Sequence, residues 1–252
     1  ANSLATALKG ITTASNVVGD TTIASTITAG RYAVTITGGA GSDSITSSPK
    51  DDTIITGGAS DTVNAGAGND TITVTGSTAS MLTGSNIDGG DGYDTLVLDT
   101  GVTGVSATNF TNVAGIEVLK LTGANSVGLN VNTGITKVIT GAGATSITTA
   151  NDLTVDASGL GAAVLTLGGA GNVTASVGST ATQIVISTAT GNLTLTGGAG
   201  IVTMTGGSGS DVLNAAASTT AVTITGGAGV DTLTGGSAGD TFAFSTNGSA
   251  AG

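Results

Sequence analysis

The chain has no cysteine, no histidine, no tryptophan and a single proline, Pro49. Without cysteine there is no disulfide and no thiolate metal site. Without histidine most zinc sites and most general-base chemistry are excluded. No apolar run reaches the roughly 18 residues of a membrane-crossing helix, and the first residues do not read as a signal peptide. Basic residues are scarce, 5 against 16 acids, for a net charge of −11. That balance argues against nucleic acid, which selects basic patches. Glutamate is almost missing too. Glu117 is the only one, and the other acids are aspartate, whose short side chain suits turns.

Threonine is the commonest residue at 49 of 252, followed by 44 glycines, against a usual glycine share of about 7%. Glycine and serine in such amounts often mark disorder. Here 38% of residues are apolar and the mean hydropathy is +0.39. The apolar residues are mostly Ile, Val and Leu, which with Thr favour strands. Glycine does not recur at every third position, so a collagen helix is excluded.

The order in this composition is a nonapeptide. The pattern G-G-x-G-x-D-x-(apolar)-x fits at 38–46, 89–97, 206–214 and 226–234. Looser copies lie at 47–55, 56–64, 65–73 and 235–243. The motif aspartates are Asp43, Asp52, Asp61, Asp70, Asp94, Asp211, Asp231 and Asp240. Two positions after each stands Ile45, Ile54, Val63, Ile72, Leu96, Leu213, Leu233 or Phe242. The glycines permit a sharp turn, and the last three residues make a short strand whose middle side chain faces a core. A simple Gly-Asp turn explains one copy, but not four aspartates at intervals of nine. With two nonapeptides per coil, Asp43 stacks on Asp61 and Asp52 on Asp70, about 4.8 Å apart. Carboxylates that close need a cation between them. Oxygen-only donors suit calcium, which takes 6 to 8 oxygens at about 2.3–2.6 Å, better than magnesium.

GGAGSDSIT, GGDGYDTLV, GGSGSDVLN and GGAGVDTLT resemble the glycine-rich calcium repeats of RTX proteins. The resemblance implies an all-β fold, a calcium-binding parallel β-roll merged with a right-handed β-solenoid. It also implies that the motif aspartates and loop carbonyls such as those of Gly39, Gly41, Gly66 and Gly68 bind several calcium ions, about five. Asp88 and Asp91 either add ligands or only solvate their loop. Two departures stand out. Copy 47–55 lacks the glycines and carries Pro49 and Lys50, which puts its side of the site in doubt. GGAGNV and GGAGIV place Val173 and Val202 where Asp belongs, so these coils are expected to persist without an ion.

The organisation read from this texture is an irregular lead-in at 1–34 and a first calcium β-roll at 35–99. A degenerate β-solenoid follows at 100–193, and a second calcium β-roll at 194–252, all stacked on a shared core. SLATALKG, residues 3–10, suggests one helical turn. The Thr-, Gly- and Ala-rich, cysteine-free, acidic middle is similar to stretches of type I-secreted RTX proteins, bacterial surface-layer proteins above all. The closing GDTFAFSTNG resembles the end of an RTX array, so the sequence is expected to be a piece of a longer protein. The resemblance implies an extracellular structural protein, not an enzyme. Its partner is itself in a lattice, with a cell-surface polysaccharide reached through sequence outside this chain. The alternatives are a repeat region of an RTX adhesin or the calcium-binding tail of a secreted enzyme.

Other motifs are weaker. GGSAG at 235–239 matches a nucleophile elbow, but Ser237 has no histidine to activate it. Asp51–Asp52 and Asp88–Asp91–Asp94 could suggest a glycosidase pair, yet their place on glycine-rich turns favours metal. Thr-x-Thr pairs, such as Thr35/Thr37 and Thr194/Thr196, could form an ice-binding ladder, though ordinary strand alternation already explains them.

Overall fold

The computed structural model describes residues 4–7, 15–20, 23–75, 79–99, 102–123, 125–129, 134–178 and 183–244. They form two compact units, one of residues 1–122 and 132–135, the other of residues 123–131 and 136–252. Both are parallel β-solenoids, built from short alternating strands punctuated by glycine turns.

In the first unit the strands are β1 (Leu4–Ala7), β2 (Ser15–Val18), β3 (Ser25–Thr28), β4 (Val34–Gly39), β5 (Ser44–Thr46), β6 (Thr53–Gly57), β7 (Thr62–Asn64), β8 (Thr71–Val74), β9 (Asn86–Asp88), β10 (Thr95–Leu98), β11 (Val113–Ala114) and β12 (Val118–Leu121). Each of β1 to β10 pairs in parallel with the strand two further on. The odd-numbered strands make a six-stranded sheet and the even-numbered ones a second sheet. This is the coil of two nonapeptides expected from the repeat. Ile27, Ile45, Val63 and Ile87 are in register on one side. Ile36, Ile54, Ile72, Leu96 and Leu119 are in register on the other. All of these side chains are buried. The residues flanking them, such as Ser44 and Thr46, or Thr62 and Asn64, are exposed, so the alternation follows the pleat.

Two inserts interrupt the eighteen-residue rhythm. A short helix, α1 (Ala79–Gly84), separates β8 from β9, and a 3-10 turn, Ala107–Phe110, separates β10 from β11. Leu82 and Phe110 from these inserts are buried. Across the first insert the spacing of equivalent residues rises from 18 to 24, as from Asp70 to Asp94.

The second unit contains β13 (Ser126–Leu129), β14 (Lys137–Ile139), β15 (Thr145–Thr149), β16 (Leu153–Ala157), β17 (Val164–Gly169), β18 (Val173–Val177), β19 (Gln183–Ala189), β20 (Leu193–Thr196), β21 (Ile201–Gly207), β22 (Val212–Asn214), β23 (Thr223–Gly227), β24 (Thr232–Thr234) and β25 (Thr241–Ala243). Odd strands again pair with odd in a seven-stranded sheet, and even with even.

Two expectations are corrected. Leu4–Ala7 is not helical. It is a strand paired with β3, Leu4 opposite Ser25 through Ala7 opposite Thr28. So short a helix has little stability of its own, and a sheet edge offers four residues a full ladder. Residues 3 and 8–10 of that stretch lie outside the described residues. The second correction concerns the core: Phe242 is 40% exposed. Among the described residues its strand pairs only with β23 and is the last of its sheet, so no further described coil covers it.

Candidate metal centre in the aspartate rows

The motif aspartates lie just before the strands, and each makes the same backward bond. Oδ1 of Asp43 accepts the N–H of Ser25 at 2.6 Å, and Oδ1 of Asp61 accepts that of Asp43 at 2.8 Å. On the opposite side Asp52 accepts from Val34 and Asp70 from Asp52, both at 2.7 Å. Asp94 then accepts from Asp70 at 2.7 Å. In the second unit Asp211 accepts from Leu193, Asp231 from Asp211 and Asp240 from Val222, at 2.8, 3.0 and 2.9 Å. The turn leaves a backbone N–H without a carbonyl, and the next coil's aspartate fills the gap.

The second oxygen divides these aspartates. Oδ2 of Asp43, Asp61, Asp70, Asp94, Asp211 and Asp231 is buried and has no hydrogen-bond partner. An unpaired buried carboxylate oxygen is costly, so a ligand is called for. Asp52 differs. Its Oδ2 accepts from the Ser47 hydroxyl at 2.6 Å and from the Ser48 N–H and hydroxyl at 2.9 Å each. These serines belong to the copy that lost its glycines, and they supply donors where other copies leave the oxygen bare. Oδ2 of Asp240 likewise accepts the Gly236 N–H at 2.7 Å.

The first glycine of the motif shapes the space beside the bare oxygen. A Cβ on Gly38 would stand 2.6 Å from Asp43 Oδ2 and 2.3 Å from the carbonyl oxygen of Thr56 on the next coil. On Gly89 it would meet Asp94 Oδ2 at 2.7 Å and the Gly115 carbonyl at 1.9 Å. On Gly206 it would meet Asp211 Oδ2 at 2.3 Å and the Gly226 carbonyl at 2.1 Å. Carboxylate and carbonyl oxygens thus converge where the glycine has no side chain. Five positions before Asp61 and Asp70 stand Thr56 and Ala65 instead, so that cradle is missing there.

Among the described residues no three carboxylates come together. An ion held here draws on one carboxylate oxygen per coil and on backbone carbonyls. That donor set contains only oxygen, and it fits calcium. Asp43, Asp94 and Asp211 would hold the ion with the Thr56, Gly115 and Gly226 carbonyls. It would supply the positive charge the rows lack.

Electrostatics agree with that need. Burial pushes the carboxyl of Asp61 up to about 6 and that of Asp70 up to about 7. Neighbouring carboxylates, Asp43 for the first and Asp52 and Asp94 for the second, add to the rise. Asp43, Asp94 and Asp211 are raised as well, chiefly by burial.

The remaining candidates are placed differently. Asp88 and Asp91 are exposed. Asp88 Oδ1 accepts the N–H of Gly90 in its own loop at 3.1 Å, and the Asp91 backbone pairs with Gly66 and Gly68. The Gly39 and Gly66 carbonyls accept the N–H groups of Gly58 and Asp91, at 2.9 Å each. Gly41 packs on the Ile23–Ala24 backbone and Gly68 on Lys50–Asp51. The carbonyls beside the bare oxygens of Asp43, Asp94 and Asp211 belong instead to the residue of the following coil that stacks on the motif's first glycine, a relation visible only once the coils are stacked. Glu117 was also missed as a member of the row. Its Oε2 accepts the Asp94 N–H at 2.8 Å, the bond every motif aspartate makes. Leu119, two positions on, is fully buried, which is the sequence signal that could have found it.

No curated protein and no solved structure matches the chain. The family model of the RTX calcium-binding nonapeptide repeat matches in four copies, at residues 24–49, 37–72, 190–219 and 216–242. The chain therefore carries RTX calcium-binding nonapeptide repeats at both of its aspartate-row regions, and calcium is the ion such repeats bind.

Proposed function

We propose that this chain is a structural, non-enzymatic component of a calcium-dependent surface layer, a two-dimensional lattice of identical subunits outside a bacterial cell. The observation behind it is the set of buried, unpartnered Oδ2 oxygens in the aspartate rows. Such a coil is poor in calcium-free surroundings and stable where calcium is plentiful, which suits a chain that folds after export. Each site filled at about 100 times its dissociation constant adds roughly 2.7 kcal/mol. The composition supports a structural role: it is rich in Thr, Gly and Ala, acidic and free of cysteine and histidine. The lattice partner is a second copy of the chain, through symmetric or head-to-tail contacts. A cell-surface polysaccharide is the expected anchor, bound by sequence outside this chain.

The test is circular dichroism together with light scattering, first in EGTA and then in millimolar calcium. Strand signal and large particles rising together support the lattice. Strand signal with a monodisperse solution favours a repeat region of an adhesin, or the calcium-binding tail of a secreted enzyme. A fold indifferent to calcium overturns the metal reading itself.

A further inference from the structure

The second unit contains two kinds of coil, and they solve the same problem by different means. Asp211 lies in register with Leu193, because Val212 pairs with Thr194 and Leu213 with Leu195. The same register runs back through Val173 to Leu153. The aspartate row therefore continues as an apolar row, Leu153–Val173–Leu193, and all three side chains are buried. The N–H groups of the first two need no carboxylate. Leu153 donates to the Asn172 carbonyl and Val173 to the Asn192 carbonyl, at 2.9 Å each. At Leu193 the acceptor changes to Asp211 Oδ1, at 2.8 Å.

A second ladder runs one position earlier and in the other direction. Asp152 Oδ1 accepts the N–H of Asn172 at 3.1 Å. Asn172 Oδ1 accepts that of Asn192, and Asn192 Oδ1 that of Ser210, both at 2.9 Å. It ties each turn to the next without an ion. The strands differ as well. β16 and β18 have five residues each and bury three side chains apiece, whereas β22 has three residues and buries one. The slot beside Gly197 is also closed: the nearest atom to a Cβ there would be Ile201 Cγ2, at 2.8 Å. Among the described residues between Lys137 and Thr205, the buried side-chain oxygens without a partner are Thr140 Oγ1 and Gln183 Oε1, neither of them a carboxylate.

We infer that residues 145–205 are a calcium-independent nucleus, on whose Leu193 edge the calcium-requiring coils at 206–240 assemble. In a stack whose repeats touch only their neighbours, folding starts where the intrinsic stability is greatest and spreads from there. Here apolar columns and the Asx ladder hold 145–205 together. The coils beyond Leu193 bring in Asp211 and Asp231, whose second oxygens are unpaired. Calcium then controls how far the stack extends, not whether it exists. This inference rests on the calcium reading above.

Amide hydrogen exchange by mass spectrometry on the whole chain tests it, in EGTA and in millimolar calcium. The expected result in EGTA is protection across 145–205 and fast exchange across 206–240, with both protected in calcium. Fast exchange everywhere in EGTA but protection in calcium overturns the nucleus and leaves the calcium reading intact. Protection everywhere in EGTA overturns the calcium reading, and the inference with it. Leu193→Ala provides a second check. It should speed exchange across 145–205 in EGTA by roughly tenfold or more, and no change there overturns the apolar row as the source of stability.

Discussion

Asp43 is held at both ends of its residue by the row it belongs to: its Oδ1 accepts the N–H of Ser25, and its own N–H is donated to Asp61 Oδ1 at 2.8 Å. Its Oδ2 takes no part in this chain of bonds. Asp43→Asn keeps an oxygen for Ser25 and puts an amide where the ion would bind. Isothermal titration should show one calcium site lost or weakened at least about tenfold, worth roughly 1.4 kcal/mol. Asp52→Asn is the contrast. Its Oδ2 accepts from Ser47 and Ser48, so the variant should lose about 1–3 kcal/mol of stability with the calcium count unchanged. If both variants behave alike, the division of the aspartates into two groups is wrong.

The carboxyls of Asp61 and Asp70 give a pH dependence with a definite sign. Folded values of about 6 and about 7 lie above the ordinary 3.8. The calcium-free folded state thus binds more protons than the unfolded chain between these limits, and its stability falls as pH rises through that window. Urea unfolding in EGTA should give a higher midpoint at pH 5 than at pH 8. In calcium the order should reverse, because protons compete with the ion for the ligand carboxylates. A calcium-free midpoint that rises with pH would contradict the burial of these groups.

Gly38→Ala places a methyl group between Asp43 Oδ2 and the Thr56 carbonyl. Gly38 is not among the glycines of positive φ, so the variant imposes no left-handed conformation; at 2.3 Å from the Thr56 carbonyl oxygen the methyl group instead pushes that carbonyl out of the cradle. Calcium binding should fall by one ion, as read by native mass spectrometry. Gly58→Ala is the control. The nearest atom to its Cβ is Ala40 Cα at 3.7 Å, and calcium stoichiometry should not change.

Glu117 ends the longest row by accepting the Asp94 N–H. Glu117→Ala leaves that donor without its acceptor and should cost about 1–3 kcal/mol, seen as a lower melting temperature in calcium. Glu117→Gln retains an acceptor and should recover most of the loss. Equal melting temperatures for Ala and wild type would remove Glu117 from the row.

Much of this was legible in the repeat. A spacing of nine, read as two nonapeptides per coil, placed Asp43 under Asp61 and Asp52 under Asp70, and it named the inward residues from Ile45 to Leu213. The serines that donate to Asp52 Oδ2 were visible only as missing glycines, because whether Ser47 and Ser48 reach the carboxylate depends on the fold of their turn. The carbonyls beside the bare oxygens come from the next coil, so no single nonapeptide contains the whole cradle. Glu117 stayed hidden because the inserts around Leu82 and Phe110 break the spacing that identified the others. In the apolar coils Val173 was recognised as a lost aspartate. The ladder through Asn172 and Asn192 has a spacing of twenty, which the search for nines passes over.

The backward reach of the motif aspartates gives the stack a direction, as a filament has two unlike ends. Every rung of the aspartate rows is completed by the coil that follows it in sequence. Removing the coil that carries Asp61 would strip the Asp43 N–H of its acceptor, while removing the coil that carries Ser25 would leave Asp43 Oδ1 without a donor but free to face water or an ion. The two faces of a cut through an aspartate row are therefore unlike, one presenting a row N–H without its acceptor and the other a carboxylate without its donor. A coil stacked end to end from another molecule would meet its complement in only one orientation.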